Sequence, residues 1–257
     1  MLLQAFAPEL LLWIFLYFCR IGAMLMTFPG FGSARIPVQV RLFLAVAVTF
    51  ALMPLLLNVP GAAPPANLGE MAPAQLLHFA LAEVLKGLAI GLMARIYLLM
   101  FEFMLSAVAM YIGMGNFPGA PAEGTEPVPA LVTFVALAAT ALIFITGLHV
   151  QVLVAIIESY GVSPVGRLPA LDMQLSEFVG QLSRATWVTF QATAPFLLYA
   201  VIVNLAIGLI NRLTPQIPAY FISLPMVLLG GLLLLLFVIG GMLEVFLSGF
   251  AEWLLGG

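Results

Sequence analysis

The stretch from Leu228 to Ile239 is apolar at nearly every position, so a helix built from it has no polar face to turn toward water. It belongs to one of six apolar regions, Leu10 to Phe28, Val40 to Leu57, Leu76 to Met114, Val128 to Ile157, Phe178 to Ile210 and Ile217 to Leu247. Each is close to or longer than the ~20 residues a helix needs to cross ~30 Å of hydrocarbon. Only 7% of the chain is charged, against about 25% in soluble domains, and 64% is hydrophobic. Lipid, or other apolar subunits, must therefore supply much of its surroundings. A transmembrane barrel would alternate apolar and polar residues with period two, which these runs do not. The fold expected is an all-α integral membrane protein of about six long, partly broken apolar helices or helical hairpins. Leu76 to Met114 and Phe178 to Ile210 are too long for one upright span, and must tilt, fold into hairpins or project beyond the bilayer within a larger assembly.

Glycine and proline punctuate these regions. Pro29, Gly30, Gly32 and Pro37 follow the first, Pro60 to Pro65 and Pro73 the second, Gly113 to Pro129 the third, and Gly161 to Pro169 the fourth. The 257 residues read as one membrane domain, with N-terminal helices over 1–114, a plug-like loop over 115–130 and C-terminal helices over 131–257. Met1 to Glu9 lacks the basic start of a cleaved signal, so the first region is expected to be retained. Arg35 and Arg41 place the first loop on the cytoplasmic side.

Composition also excludes functions. The net charge of −3 is thinly spread, with no basic stripe for a phosphate backbone, so nucleic acid is not a partner. Cys19 is the only cysteine, which rules out an intramolecular disulfide and a cysteine-based metal site. His78 and His149 lack the neighbours of a metal-ligand motif, and no metal or other cofactor is expected. Ser106, Ser159 and Ser176 lack a histidine in any recognisable local pattern, so no catalytic residue is assigned and the chain is not read as an enzyme.

Charges inside apolar helices carry the most information, since each costs at least ~2.5–3.5 kcal/mol at a helix centre unless it finds a partner. Glu83 and Lys86 stand three apart, and Arg95 and Glu102 seven apart. They suit either an ion relay or structural pairs turned toward neighbouring subunits. Gly113 to Gly119 looks superficially like a phosphate cradle, but no Lys-Ser or Lys-Thr follows, and Pro118 and Pro121 remove N–H donors. A helix break of this kind at membrane depth must face protein or a water-filled cavity. It is therefore a pore or plug candidate, with Met110, Met114, Asn116 and Phe117 as lining residues. Met100, Met104, Met110 and Met114 are flexible enough to form a deformable seal, and a methionine stripe also serves as ordinary core.

From Asn204 to Pro225 the sequence resembles the FliR family, flagellar type III export-gate components with virulence-associated injectisome counterparts. Asn204, Gly208, Asn211, Arg212, Pro215 and Gln216 carry the most specific part of that resemblance. Three other stretches agree in order: Phe28 to Ala45, Glu83 to Gly91, and Gly147 to Gly166 with His149 and a closing Pro164 and Gly166. The Pro/Glu-rich continuation Pro121 to Pro129 departs from the family pattern, as does Lys86, where many relatives look aliphatic. The resemblance implies a subunit of a cone-like gate in the bacterial inner membrane, at the flagellar basal body. FliP-like and FliQ-like subunits would be its partners, FlhB-like and FlhA-like proteins would join below, and unfolded flagellar proteins would be the substrate. Asn204, Asn211, Arg212 and Pro215 would fix the C-terminal hairpin. The rival reading is a small-molecule or ion transporter whose site is lined by Glu83, Lys86, Arg95 and Glu102.

Overall fold

The computed structural model describes residues 8–33, 35–63, 65, 68–119, 127–168, 171–214, 216 and 219–254. Seven α-helices are present among them: α1 (Pro8–Thr27), α2 (Val38–Leu56), α3 (Pro73–Tyr111), α4 (Ala130–Ile145), α5 (Leu148–Val162), α6 (Leu171–Leu213) and α7 (Ala219–Leu254). No strand occurs among the described residues, and an isolated bridge joins Pro118 to Pro129. The all-α membrane architecture read from the sequence is the one observed.

Three of the sequence regions take forms that hydropathy alone left open. The third and fifth are not hairpins, since α3 runs unbroken for 39 residues and α6 for 43. At ~1.5 Å per residue these helices are roughly 58 and 64 Å long, about twice the hydrocarbon thickness. Pro195 does not stop α6, nor does Pro225 stop α7. The fourth region is not one helix. Gly147, at φ 78°, takes a left-handed conformation that only glycine adopts cheaply, and the run is divided there into α4 and α5.

The chain forms two compact units, each assembled from segments distant in sequence: Met1–Ile96 with Gly147–Gln181, and Tyr97–Thr146 with Leu182–Gly257. In the first, α1 is the central element, burying Tyr17, Ile21, Met24 and Leu25. The α3 helix crosses α1 at backbone distance. A Cβ on Gly87 would strike the Arg20 carbonyl, and one on Gly91 would lie 2.6 Å from the Met24 carbonyl oxygen. Small residues permit this approach, which in lipid must replace the hydrophobic drive that water would supply. By contrast, α2 lays most of its apolar surface outward, including Phe43 and Phe50.

In the second unit, an aromatic column ties the C-terminal part of α3 to α7: Phe101 stacks on Phe246 at 4.4 Å, and Tyr97 meets Phe250 edge-on at 5.9 Å. The buried Thr189 and Thr193 return their hydroxyl protons to the carbonyls of Ala185 and Thr189, each at 2.9 Å. That satisfies both hydroxyls within α6 and lets the helix pack on a polar sequence as though it were apolar. Further along, Tyr199 donates from α6 to the Val227 carbonyl of α7 at 2.8 Å.

Because Gly87 faces a backbone carbonyl, Gly87→Ala should lower the stability of the detergent-solubilised chain by about 1–3 kcal/mol. Gly208→Ala, at a helical site with nothing within 4 Å of the new Cβ, should leave stability unchanged or raise it by up to about 1 kcal/mol. Thermal melting of the two variants checks this, and equal shifts would mean that α1 and α3 are not in backbone contact.

Candidate functional site

Arg20 lies on α1 amid apolar residues, and neither water nor lipid can stabilise it there. It is fully buried, as is Glu83 on α3. Arg20 Nε donates to Glu83 Oε2 at 2.7 Å and its terminal nitrogen to Oε1 at 3.1 Å, a two-pronged pairing that matches the planar guanidinium to the carboxylate. The remaining guanidinium donors reach Ser159 Oγ at 3.0 Å and the Ser163 carbonyl at 3.0 Å. The guanidinium carbon also lies 3.7 Å from the centre of the Tyr160 ring, a cation–π contact.

Glu83 Oε1 gathers two more donors, Lys86 Nζ at 2.9 Å and the Gly166 backbone N–H at 3.0 Å. Lys86 in turn donates to the Pro164 carbonyl at 2.7 Å. The node therefore binds four parts of the first unit: α1, α3, α5 through Ser159 and Tyr160, and the Ser163–Gly166 turn that follows α5. Two contacts from the loop after α2 brace it, Tyr17 Oη donating to Ala62 O at 3.1 Å and Val165 N–H to Gly61 O at 3.0 Å.

Glu83 and Lys86 form an ion pair buried inside the chain rather than one turned toward a neighbouring subunit, because Arg20, 63 positions from Glu83, takes both carboxylate oxygens. Arg20 carries only a weak sequence signal, a single arginine inside an apolar run with no charge near it. Of the other two charges of α3, Arg95 is half-buried in the first unit and Glu102 is buried in the second. His78 is exposed on α3, and His149 borders an apolar pocket lined by Met24, Phe28, Val48 and Val152.

The break after α3 has a defined local geometry. Gly113, at φ 80°, ends the helix, with its N–H on Met110 O at 3.2 Å and the Met114 N–H on Ala109 O at 2.7 Å, the two bonds of a Schellman cap. The chain is then tied to the start of α4: Gly119 N–H donates to Val128 O at 2.8 Å and Ala130 N–H to Phe117 O at 2.9 Å. These bonds close the stem of the loop, while residues 120–126 lie outside the described set. Met110 is 71% exposed and Phe117 51%; Asn116 is also exposed and Met114 is half-buried. Large apolar side chains are thus presented outward on a fastened frame.

At the far end of α6, Asn204 Nδ2 donates to the Ala200 carbonyl at 2.8 Å. Asn211 and Arg212 are exposed, with Arg212 in the last turn, where a cation favours the helix dipole. Pro215 lies outside the described residues. No group of three or more metal-ligating side chains occurs among the described residues.

These features define a class: a polytopic helical membrane protein with a polar centre sealed inside one unit and an apolar, glycine-framed break exposed on the other. The profile of the family described as bacterial export proteins, family 1, matches residues 11–253. The flagellar biosynthetic protein FliR of Caulobacter vibrioides is 30% identical over 241 residues, covering 93% of each chain. FliR of Aquifex aeolicus is 28% identical, over 90% of this chain and 86% of that one, and FliR of Escherichia coli K12 is 24% identical over 91% and 88%. The chain belongs to this export family, the family of FliR.

Glu83 is the only anion facing Arg20 and Lys86 in the described node. Glu83→Gln should therefore destabilise the solubilised chain by about 3–5 kcal/mol, the range for stranding a buried charge. Replacing Arg20, Glu83 and Lys86 together by methionine should recover much of that loss. Melting temperatures of the single and triple variants decide the matter; a single-variant loss below about 1 kcal/mol would mean that water reaches the node.

Proposed function

We propose that the chain is a non-enzymatic subunit of the flagellar type III protein export gate in the bacterial inner membrane, where it forms part of the channel wall for unfolded flagellar subunits. The observation that carries this reading is the family match over residues 11–253, with FliR relatives aligned over nearly their whole length. FliP-like and FliQ-like chains are its partners in the wall, and FlhB-like and FlhA-like proteins join it below. The outward apolar surfaces of α2, α6 and α7 suit burial against such helices.

Within the gate, Met110, Met114, Asn116 and Phe117 form the constriction. Methionine and phenylalanine side chains repel water and ions while yielding to a passing polypeptide of any sequence. The stem bonds at Phe117, Gly119, Val128 and Ala130 anchor the loop so that the chain can yield locally without unravelling α3 or α4. Asn204, Asn211, Arg212 and Pro215 fix the hairpin of α6 and α7 in the assembly. A transporter site at Glu83 and Lys86 is disfavoured, because Arg20, Gly166 and the Pro164 carbonyl already engage those groups.

Replacing Met114 and Phe117 by alanine in the assembled gate should raise ion leakage several-fold while export of flagellar subunits continues. Leakage is read from the dissipation of a preset ion gradient in cells producing the gate. Unchanged leakage would remove these residues from the seal. Flux by the chain alone, lost on neutralising Glu83, would restore the transporter.

A further inference from the structure

Lys86 is not needed to neutralise Glu83. Arg20 already holds both carboxylate oxygens, at 2.7 and 3.1 Å. Taking Lys86 away would leave a neutral, hydrogen-bonded pair; with Lys86 present, two cations face one anion in a buried site. An additional buried cation demands further acceptors. Apart from Glu83, the acceptors in reach are the Pro164 carbonyl at 2.7 Å and the Ser163 carbonyl at 3.5 Å.

Those carbonyls sit at and just beyond the C-terminus of α5, the negative end of its dipole. The local sequence does little to cap that end: the last turn of α5 contains no basic residue, and its C-cap, Ser163, is extended at φ −129° instead of being followed directly by a left-handed glycine. The cations come from elsewhere in the unit, Arg20 of α1 gripping Ser163 O at 3.0 Å and Lys86 of α3 gripping Pro164 O. Two consecutive carbonyls are thus held by two helices. Immediately afterwards, Gly166 at φ 77° turns the chain and returns its N–H to Glu83.

We infer that Lys86 is a positioning residue: it caps α5 in trans from α3 and so sets the direction in which the chain leaves α5 toward α6. Arg20 and Glu83 hold α1 to α3 and reach the turn at Ser163 and Gly166, and Lys86 adds the grip on the Pro164 carbonyl between them. This role does not depend on the export reading.

Hydrogen–deuterium exchange of the full-length chain in mild detergent tests it. In Lys86→Met, the amides of Val165, Gly166 and Arg167 should exchange at least about tenfold faster, the signature of a locally opened turn, while those of Leu16 to Leu25 in α1 keep their protection. Lys86→Gln, which retains a donor for the Pro164 carbonyl but no charge, should keep the turn protected. Unchanged exchange at the turn in Lys86→Met would overturn the assignment, as would equal acceleration in α1, which would make Lys86 a general stabiliser of the node. If Lys86→Met does not accumulate, Lys86→Gln alone decides: a protected turn upholds the cap, whereas its exposure, or failure of this variant too, refutes it.

Discussion

A carboxylate cannot be left unpaired among apolar helices, and the first unit is arranged around satisfying one. Glu83 draws Arg20 from α1, Lys86 from its own helix and the Gly166 amide from the turn after α5. The glycines that let α3 approach α1 lie one and two turns further along the same helix, at Gly87 and Gly91. Charge pairing and close backbone contact therefore act on the same helix crossing. Neither suffices alone: a bulkier residue at Gly87 would push the helices apart, and without the pairing the charges would oppose burial. The second unit relies on other means, stacked aromatics between α3 and α7 and threonines that satisfy themselves within α6.

Much of this was legible in the sequence, and the parts that were not share a cause. The apolar runs, the Gly/Pro break after α3 and the FliR-like pattern from Asn204 onward are local signals, written in consecutive residues. So were Glu83 and Lys86, three apart on one helix. The Arg20 partnership was not, because its residues are 63 positions apart and no periodicity links them. Likewise, hydropathy reads Thr146 and Gly147 as part of a continuous run, whereas the left-handed φ of Gly147 divides that run into α4 and α5. The continuity of α6 through Pro195 illustrates the reverse: a residue that weakens an isolated helix is tolerated inside one held by its neighbours.

The division of polar and apolar features has a functional logic. The charges of the Arg20 node are engaged with one another and with backbone carbonyls inside the first unit. The break near Gly113 does the opposite: its backbone is fastened at both ends of the described stem, and Met110 and Phe117 are turned outward. In the proposed gate this combination would serve as a rigid wall carrying a soft apolar constriction, since a charged lining would admit ions and bind passing chains unequally. In the proposed gate, the exposed apolar faces of α2 and α7 would meet neighbouring subunits as well as lipid.

Whether this chain works inside such an assembly can be read by weighing it. The chain, tagged and expressed with its native operon, would be purified in mild detergent and examined intact by native mass spectrometry. An export-gate subunit should emerge in a large complex containing several FliP-like and FliQ-like chains for each copy of itself. A stable monomer or homodimer, free of those chains under conditions that preserve other membrane complexes, would contradict the export-gate reading.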